Sequence, residues 1–207
     1  MPAMKLQKDN AQSGWALWFI SETEDELQHA SGEIIDSSVA NYPKRLEWLA
    51  GRALVKELVE QCGMNYYGLE KNEFGKPYLK NHPHHISLSH SYPYVAAQID
   101  LHTEVGIDLE QPKQKLLNIA PRILAATELT DAGQDIVKHC VYWCAKEALY
   151  KSYGKRGLSF AEHLNVKPFN LAQAGDLCGT ITANGVKQEL QLHYRIQPGY
   201  VLVCTKI

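Results

Sequence analysis

Two short segments constrain the fold more than any others in the chain. Val105-Gly106-Ile107-Asp108-Leu109-Glu110 alternates apolar and acidic residues, so as a β-strand it projects Asp108 and Glu110 from one face. Trp143-Cys144-Ala145-Lys146-Glu147-Ala148-Leu149-Tyr150-Lys151 reads as a helix, with Trp143, Glu147 and Lys151 at i, i+4 and i+8 on one side. A strand with two carboxylates near a helix with a third makes an all-oxygen site suited to Mg²⁺. Lys151, one turn beyond Glu147, is placed to hold a phosphate. Together the segments predict phosphoryl chemistry.

At 207 residues the chain is long enough for one large domain or two small ones. Its hydrophobic content of 45% and charged content of 21% are those of a water-soluble globular protein. The net charge of −2 gives no reason to expect nucleic acid as a partner. No apolar run approaches the roughly 20 residues of a membrane span, and Trp15 to Ile20 lacks the flanks of a secretory signal. The chain is expected to be cytoplasmic and to have no membrane partner. Cys62, Cys140, Cys144, Cys178 and Cys204 form no Cys-x-x-Cys pair and read as reduced thiols.

Trp15 to Ile20 predicts a buried strand. Ser21 then reads as the cap of an acidic helical stretch, with Glu24 in the capping-box position. A long amphipathic helix is predicted from about Pro43 to Cys62, stopping at Gly63. Strands follow at Ile86 to Ser89 and Tyr94 to Ile99, then the strand bearing Asp108 and Glu110. Helices are predicted over Leu116 to Leu124 and over about Gln134 to Tyr153, with Gly154 as the stop. From His163 onward the chain alternates apolar and polar residues around Asn184-Gly185, a hairpin turn signal.

A faint internal repeat aligns Trp48-Leu-Ala-Gly-Arg-Ala-Leu-Val-Lys56 with Trp143-Cys-Ala-Lys-Glu-Ala-Leu-Tyr-Lys151, and Tyr94 to Ala97 with Tyr200 to Val203. Compositional reuse of Ala, Leu and Lys explains it equally well. Read as a duplication, it makes residues 1–104 and 105–207 two similar α+β halves related by a pseudo-twofold. Each would be a small, mostly antiparallel sheet packed on a long helix, with the active site between the halves. Arg52 then occupies the slot of Glu147.

Asp108, Glu110, Glu147 and Lys151 sit in motifs that resemble those of the 4′-phosphopantetheinyl transferases. The likeness is to the larger, duplicated type that activates peptide synthetases and fatty-acid carrier proteins. That family carries G-[IV]-D-[ILV]-E and, later, W-x-x-K-E-[AS]-x-x-K, which read here Gly106 to Glu110 and Trp143 to Lys151. Phe74-Gly75-Lys76-Pro77-Tyr78 is similar to its G-K-P segment. Ile86-Ser87-Leu88-Ser89-His90-Ser91 is similar to its F-N-[IL]-S-H-[ST] segment, with Ile and Ser for Phe and Asn. Arg122 to Glu128 resembles a stretch ending F-[ST]-x-x-E, with Ala125 in the hydroxyl position. Five motifs in order cover about half the chain.

The resemblance implies transfer of 4′-phosphopantetheine from coenzyme A to a serine of an apo acyl or peptidyl carrier protein, releasing adenosine 3′,5′-bisphosphate. It implies Mg²⁺ held by Asp108, Glu110 and Glu147. Lys151 would contact the diphosphate, with Lys146 a second candidate. Lys76, Ser89 and His90 would grip the phosphates and nucleotide end. The serine would be deprotonated by Glu147 or by Glu128 through water. The family's basic residues before the first long helix have no counterpart between Lys8 and Lys44, so Lys44, Arg45 or Arg52 is expected to substitute. One chain supplying both halves implies a monomer.

Competing readings are an Mg²⁺-dependent phosphohydrolase using the same carboxylates, and a non-catalytic carrier-binding module. His82, His84, His85 and His90 lack a familiar zinc spacing. Ser89, His90 and Asp108 do not make a hydrolase triad, because adjacent strand residues point to opposite faces and no Gly-x-Ser-x-Gly elbow is present.

Overall fold

The computed structural model describes residues 3–35 and 39–206, the side chains of 3–6 and 9 excepted. The chain divides into two compact units, the first running to Val105 and the second from Gly106 to Lys206. Both are mixtures of helix with antiparallel sheet.

In the first unit, strands β1 (Ala3–Asn10), β2 (Ser13–Phe19), β5 (His85–Ser91) and β6 (Tyr94–Asp100) form an antiparallel sheet in the order β1-β2-β6-β5. Helix α1 (Glu24–Ser31) packs on α2 (Tyr42–Gln61), which lies on β2, β5 and β6. A short hairpin, β3 (Leu69–Lys71) and β4 (Pro77–Leu79), connects the helix to β5. Period-two alternation sends Ala16 and Trp18 of β2, Ile86 of β5, and Val95, Ala97 and Ile99 of β6 into one core with α2. Asn41 caps α2 by accepting the Lys44 N–H at 3.1 Å, and Pro43 sits in its first turn, where a missing N–H costs nothing.

The acidic helix begins later than the sequence predicts. Thr23, not Ser21, is the N-cap, and Glu26 completes the capping box. Ser21–Glu24 and Thr23–Glu26 have the same spacing, so the local pattern does not choose between them. Tertiary contact does: the Glu22 carboxylate accepts the Trp18 indole N–H at 3.2 Å and the Ser21 N–H at 2.9 Å, which leaves Glu22 outside the helix.

The second unit holds β7 (Ile107–Glu110), α3 (Lys115–Ile123), α4 (Ala126–Ala132), α5 (Ile136–Tyr153), α6 (Phe160–His163), β8 (Leu164–Val166), β9 (Ala174–Ala183), β10 (Val186–Gln197) and β11 (Tyr200–Thr205). Its five strands run antiparallel in the order β7-β11-β10-β9-β8. The predicted Asn184-Gly185 turn joins β9 to β10, with φ of 52° and 77° at its two residues, the left-handed pair that a two-residue hairpin needs. Gly154 ends α5 in the left-handed conformation, as expected.

The units share a path. In each, a strand leads through a long helix to a hairpin whose second strand returns beside the first: β2, α2, β5, β6 in one, β7, α5, β10, β11 in the other. The aligned Trp48–Lys56 and Trp143–Lys151 segments fall within those two helices.

Candidate active site

Asp108 and Glu110 face Val203 and Val201 across the β7–β11 ladder, and both valines belong to the core beneath α5. The two carboxylates therefore share the sheet face on which α5 packs. Gly106 permits the close approach. A Cβ there would stand 1.8 Å from the carbonyl oxygen of Ala148 and 2.9 Å from the Ser152 nitrogen, so only glycine lets the α5 backbone settle against the strand. The glycine of the strand motif and the small Ala148 of the helix motif meet at this one contact.

With the helix seated, Lys151 reaches the strand. Its Nζ donates to Asp108 Oδ1 at 2.7 Å and to the Ile107 carbonyl at 3.0 Å. Asp108 is buried and Lys151 half-buried. Glu147, one turn back, is half-buried as well. Burial first, and then the charge of Asp108, raise its carboxyl to about 7; Glu110 adds to the rise and Lys151 opposes it. Glu147 thus feels the charges of Asp108 and Glu110 with the Lys151 ammonium opposing them.

Among the described residues, no three His, Cys, Asp or Glu side chains converge on a metal-sized point. The donor set nonetheless fits a hard divalent cation. All three side chains offer only oxygen, and burial together with the negative charge of Asp108 and Glu110 makes the Glu147 carboxylate one that a cation would stabilise.

Glu128 and Lys146 have another role. Both are fully buried and their charged atoms stand 2.6 Å apart. Glu128 also accepts the Ala125 N–H and the Val166 N–H, each at 2.7 Å. Lys146 Nζ donates to the Ile123 and Phe160 carbonyls, each at 2.9 Å. Every strong bond of this pair is internal, and it ties α3, α4, α6 and β8 to α5. The base role expected of Glu128 through water, and the phosphate role expected of Lys146, would require these enclosing bonds to open.

The remaining predicted residues lie in the first unit. Phe74-Gly75-Lys76 forms the β3–β4 turn, where the Asn72 side chain accepts the Phe74 and Lys76 N–H groups and Gly75 adopts φ 88°. Lys76 pairs with Glu104. Ser89 is buried on β5, while the neighbouring His90 is exposed on the opposite face and pairs with Glu47 of α2. Arg45 is held by Glu24, Nε to Oε2 at 2.8 Å, and by the Val39 carbonyl at 3.1 Å. Lys44 pairs with Glu47, and Arg52 pairs with Glu33 while lying over the Trp48 ring. Each basic residue put forward for the nucleotide phosphates thus has a carboxylate partner.

Glu47 is the residue that the sequence reading missed. The signal was available: an acidic residue at i−3 from Ala50 and i−7 from Leu54, within the buried stripe of a helix.

Residues 104–204 match the family described as the 4′-phosphopantetheinyl transferase superfamily. The chain is 32% identical to a 4′-phosphopantetheinyl transferase of Bacillus subtilis over 53% of its own length, spanning about half (54%) of that relative. It is 30% identical to the transferase psf-1 of Bacillus pumilus, covering 76% of this chain and 70% of the relative. It is also 30% identical to the transferase Sfp of Bacillus subtilis strain 168, covering 76% and 72%. The chain belongs to the 4′-phosphopantetheinyl transferase superfamily, and within it to the larger type that Sfp represents. Its activity is that of the family, transfer of 4′-phosphopantetheine to carrier proteins, with coenzyme A as the substrate that supplies it. A phosphohydrolase and a non-catalytic binding module find no support in these similarities. No helix among the described residues is long and apolar enough to cross a membrane.

Proposed function

We propose that Asp108, Glu110 and Glu147 hold Mg²⁺ and that Glu147 and Lys151 carry the transfer step. The observation that carries this reading is the Lys151–Asp108 bond beside a Glu147 whose carboxyl is pushed up to about 7. When bound, the metal supplies charge neutralisation to the diphosphate of coenzyme A. Lys151 turns from Asp108 to a diphosphate oxygen, exchanging one anionic partner for another. Glu147 takes the proton of the carrier serine, directly or through a water. The serine oxygen forms a bond to the β-phosphorus as the bond to the bridging oxygen breaks, and adenosine 3′,5′-bisphosphate leaves. The protein contributes position and charge rather than a covalent intermediate.

By the family resemblance, Lys76, Ser89 and His90 take the nucleotide end. Arg45 is a further phosphate contact, for which its Glu24 pairing must first open. The enzyme acts as a monomer, and in the cytoplasm, the latter in keeping with five cysteines that form no disulfide.

The test is incubation with coenzyme A, Mg²⁺ and an apo carrier protein, read by intact mass. A gain of one phosphopantetheine that is lost with EDTA and in Glu147→Gln supports the assignment. Full activity in EDTA, or in Glu147→Gln, contradicts it.

A further inference from the structure

Glu47 is a carboxylate buried to 4% exposure in the helix of the first unit, yet three donors converge on it from separate points of the fold. Lys44, one turn earlier on α2, reaches Oε2 at 2.7 Å. His90 on β5 brings Nδ1 within 3.2 Å of the same oxygen. The Tyr92 N–H, just past the end of β5, donates to Oε1 at 2.9 Å. Burial alone would push this carboxyl up, but the hydrogen bonds from His90 and Lys44 win and hold it at about 2. Glu47 is therefore a fixed negative charge.

The backbone amide and the lysine would suffice to satisfy a structural carboxylate. The third contact is different in kind. His90 is more than half exposed, so its ring has Nδ1 turned inward to Glu47 while its outer edge meets solvent. A carboxylate on Nδ1 fixes the ring orientation, so that Nε2 is the ring atom left facing outward toward an incoming anion. A bare carboxylate beside a phosphate would repel it. Set behind the ring and paired with Lys44, it is screened from an anion that approaches from the solvent side.

We infer that Glu47 is a positioning residue that orients His90 as a contact for the 3′-phosphate of coenzyme A. This rests on the reading of His90 as a nucleotide contact, and it adds the group that makes His90 competent. Glu47 itself touches no substrate. Its function is specificity for the 3′-phosphate over its absence.

The experiment compares wild type, Glu47→Gln, His90→Ala and the double variant, with coenzyme A against 3′-dephospho-coenzyme A in transfer. In parallel, calorimetry compares adenosine 3′,5′-bisphosphate with adenosine 5′-phosphate. Glu47→Gln is expected to weaken the 3′-phosphorylated ligands about tenfold, the worth of one charge-assisted hydrogen bond. The loss falls on KM rather than kcat, the ligands lacking the 3′-phosphate change less than twofold, and the double variant adds nothing to His90→Ala. Equal weakening of both ligand classes, a loss mainly in kcat, or additivity with His90→Ala overturns the inference. Nitrogen-15 NMR of the wild-type ring tests the same contact where Glu47→Gln does not fold: Nδ1 is expected to carry a proton, and a bare Nδ1 overturns it. Absence of transfer with intact 3′-phosphate discrimination would count against the transferase mechanism alone. Intact transfer without that discrimination would count against Glu47 alone.

Discussion

At the scale of single residues, two glutamates on neighbouring helices of the second unit have opposite fates. Glu147 faces other carboxylates and is unsettled by them; Glu128 is enclosed and fully hydrogen-bonded. Replacing Glu147 by Gln should lower kcat at least 100-fold. Mg²⁺ should raise the melting temperature of wild type, as any ligand selective for the folded state does, and leave Glu147→Gln unmoved. Glu128→Gln should do the reverse, removing about 3 kcal/mol of stability by leaving Lys146 as an uncompensated buried charge. Its kcat per folded molecule should stay within about threefold, and denaturant titration beside active-site titration separates the two effects. Glu47 supplies the pH dependence. Its folded carboxyl lies near 2, below the ordinary 4.5, so its stabilisation is complete above 4.5 and is lost as pH falls through 2. Acid unfolding of Glu47→Gln should therefore be shallower over that interval than that of wild type, as followed by circular dichroism.

At the scale of elements, the decisive contact is the seat of α5 on β7. Gly106→Ala puts a methyl group into the Ala148 carbonyl and forces the helix away from the strand. It should cost about 3 kcal/mol or more and separate Lys151 from Asp108, so that activity falls further than the unfolded fraction explains. A smaller change should stabilise. Glu128 supplies one half of a capping box by accepting the Ala125 N–H, but Ala125 has no oxygen with which to return the bond. Ala125→Ser should gain about 0.5–1 kcal/mol, read as a rise in melting temperature.

The elements that the sequence made legible are those written in local chemistry. The hairpin at Asn184-Gly185 needs two left-handed residues, α5 ends at Gly154 and α2 two residues before Gly63, and the carboxylates of β7 follow from strict alternation. Less legible were β1, a strand of mixed polar sequence on the sheet edge, and α4, whose missing hydroxyl cap removed its start signal. The site divides in the same way. Its β7–α5 part is set by spacings of two and four residues. The partners of Arg45, Lys76 and His90 lie 21, 28 and 43 residues away, and no window of sequence reports which carboxylate a distant basic group will meet.

At the scale of the whole molecule, two units follow one strand–helix–hairpin path, and only the second carries a glutamate at the aligned helix position. In the first unit Arg52 stands where Glu147 stands in the second, stacked on Trp48 and paired to Glu33. The proposed monomer predicts a single species of 23.3 kDa in sedimentation, active at all concentrations. An obligate oligomer, inactive on dilution, would contradict it. The most direct test of the central claim is intact mass of an apo carrier protein after incubation with this chain, coenzyme A and Mg²⁺. The expected result is the addition of one 4′-phosphopantetheine to a single serine, abolished by EDTA and by Glu147→Gln. An unmodified carrier across fatty-acid, polyketide and peptide types, or modification that survives Glu147→Gln, would contradict the account.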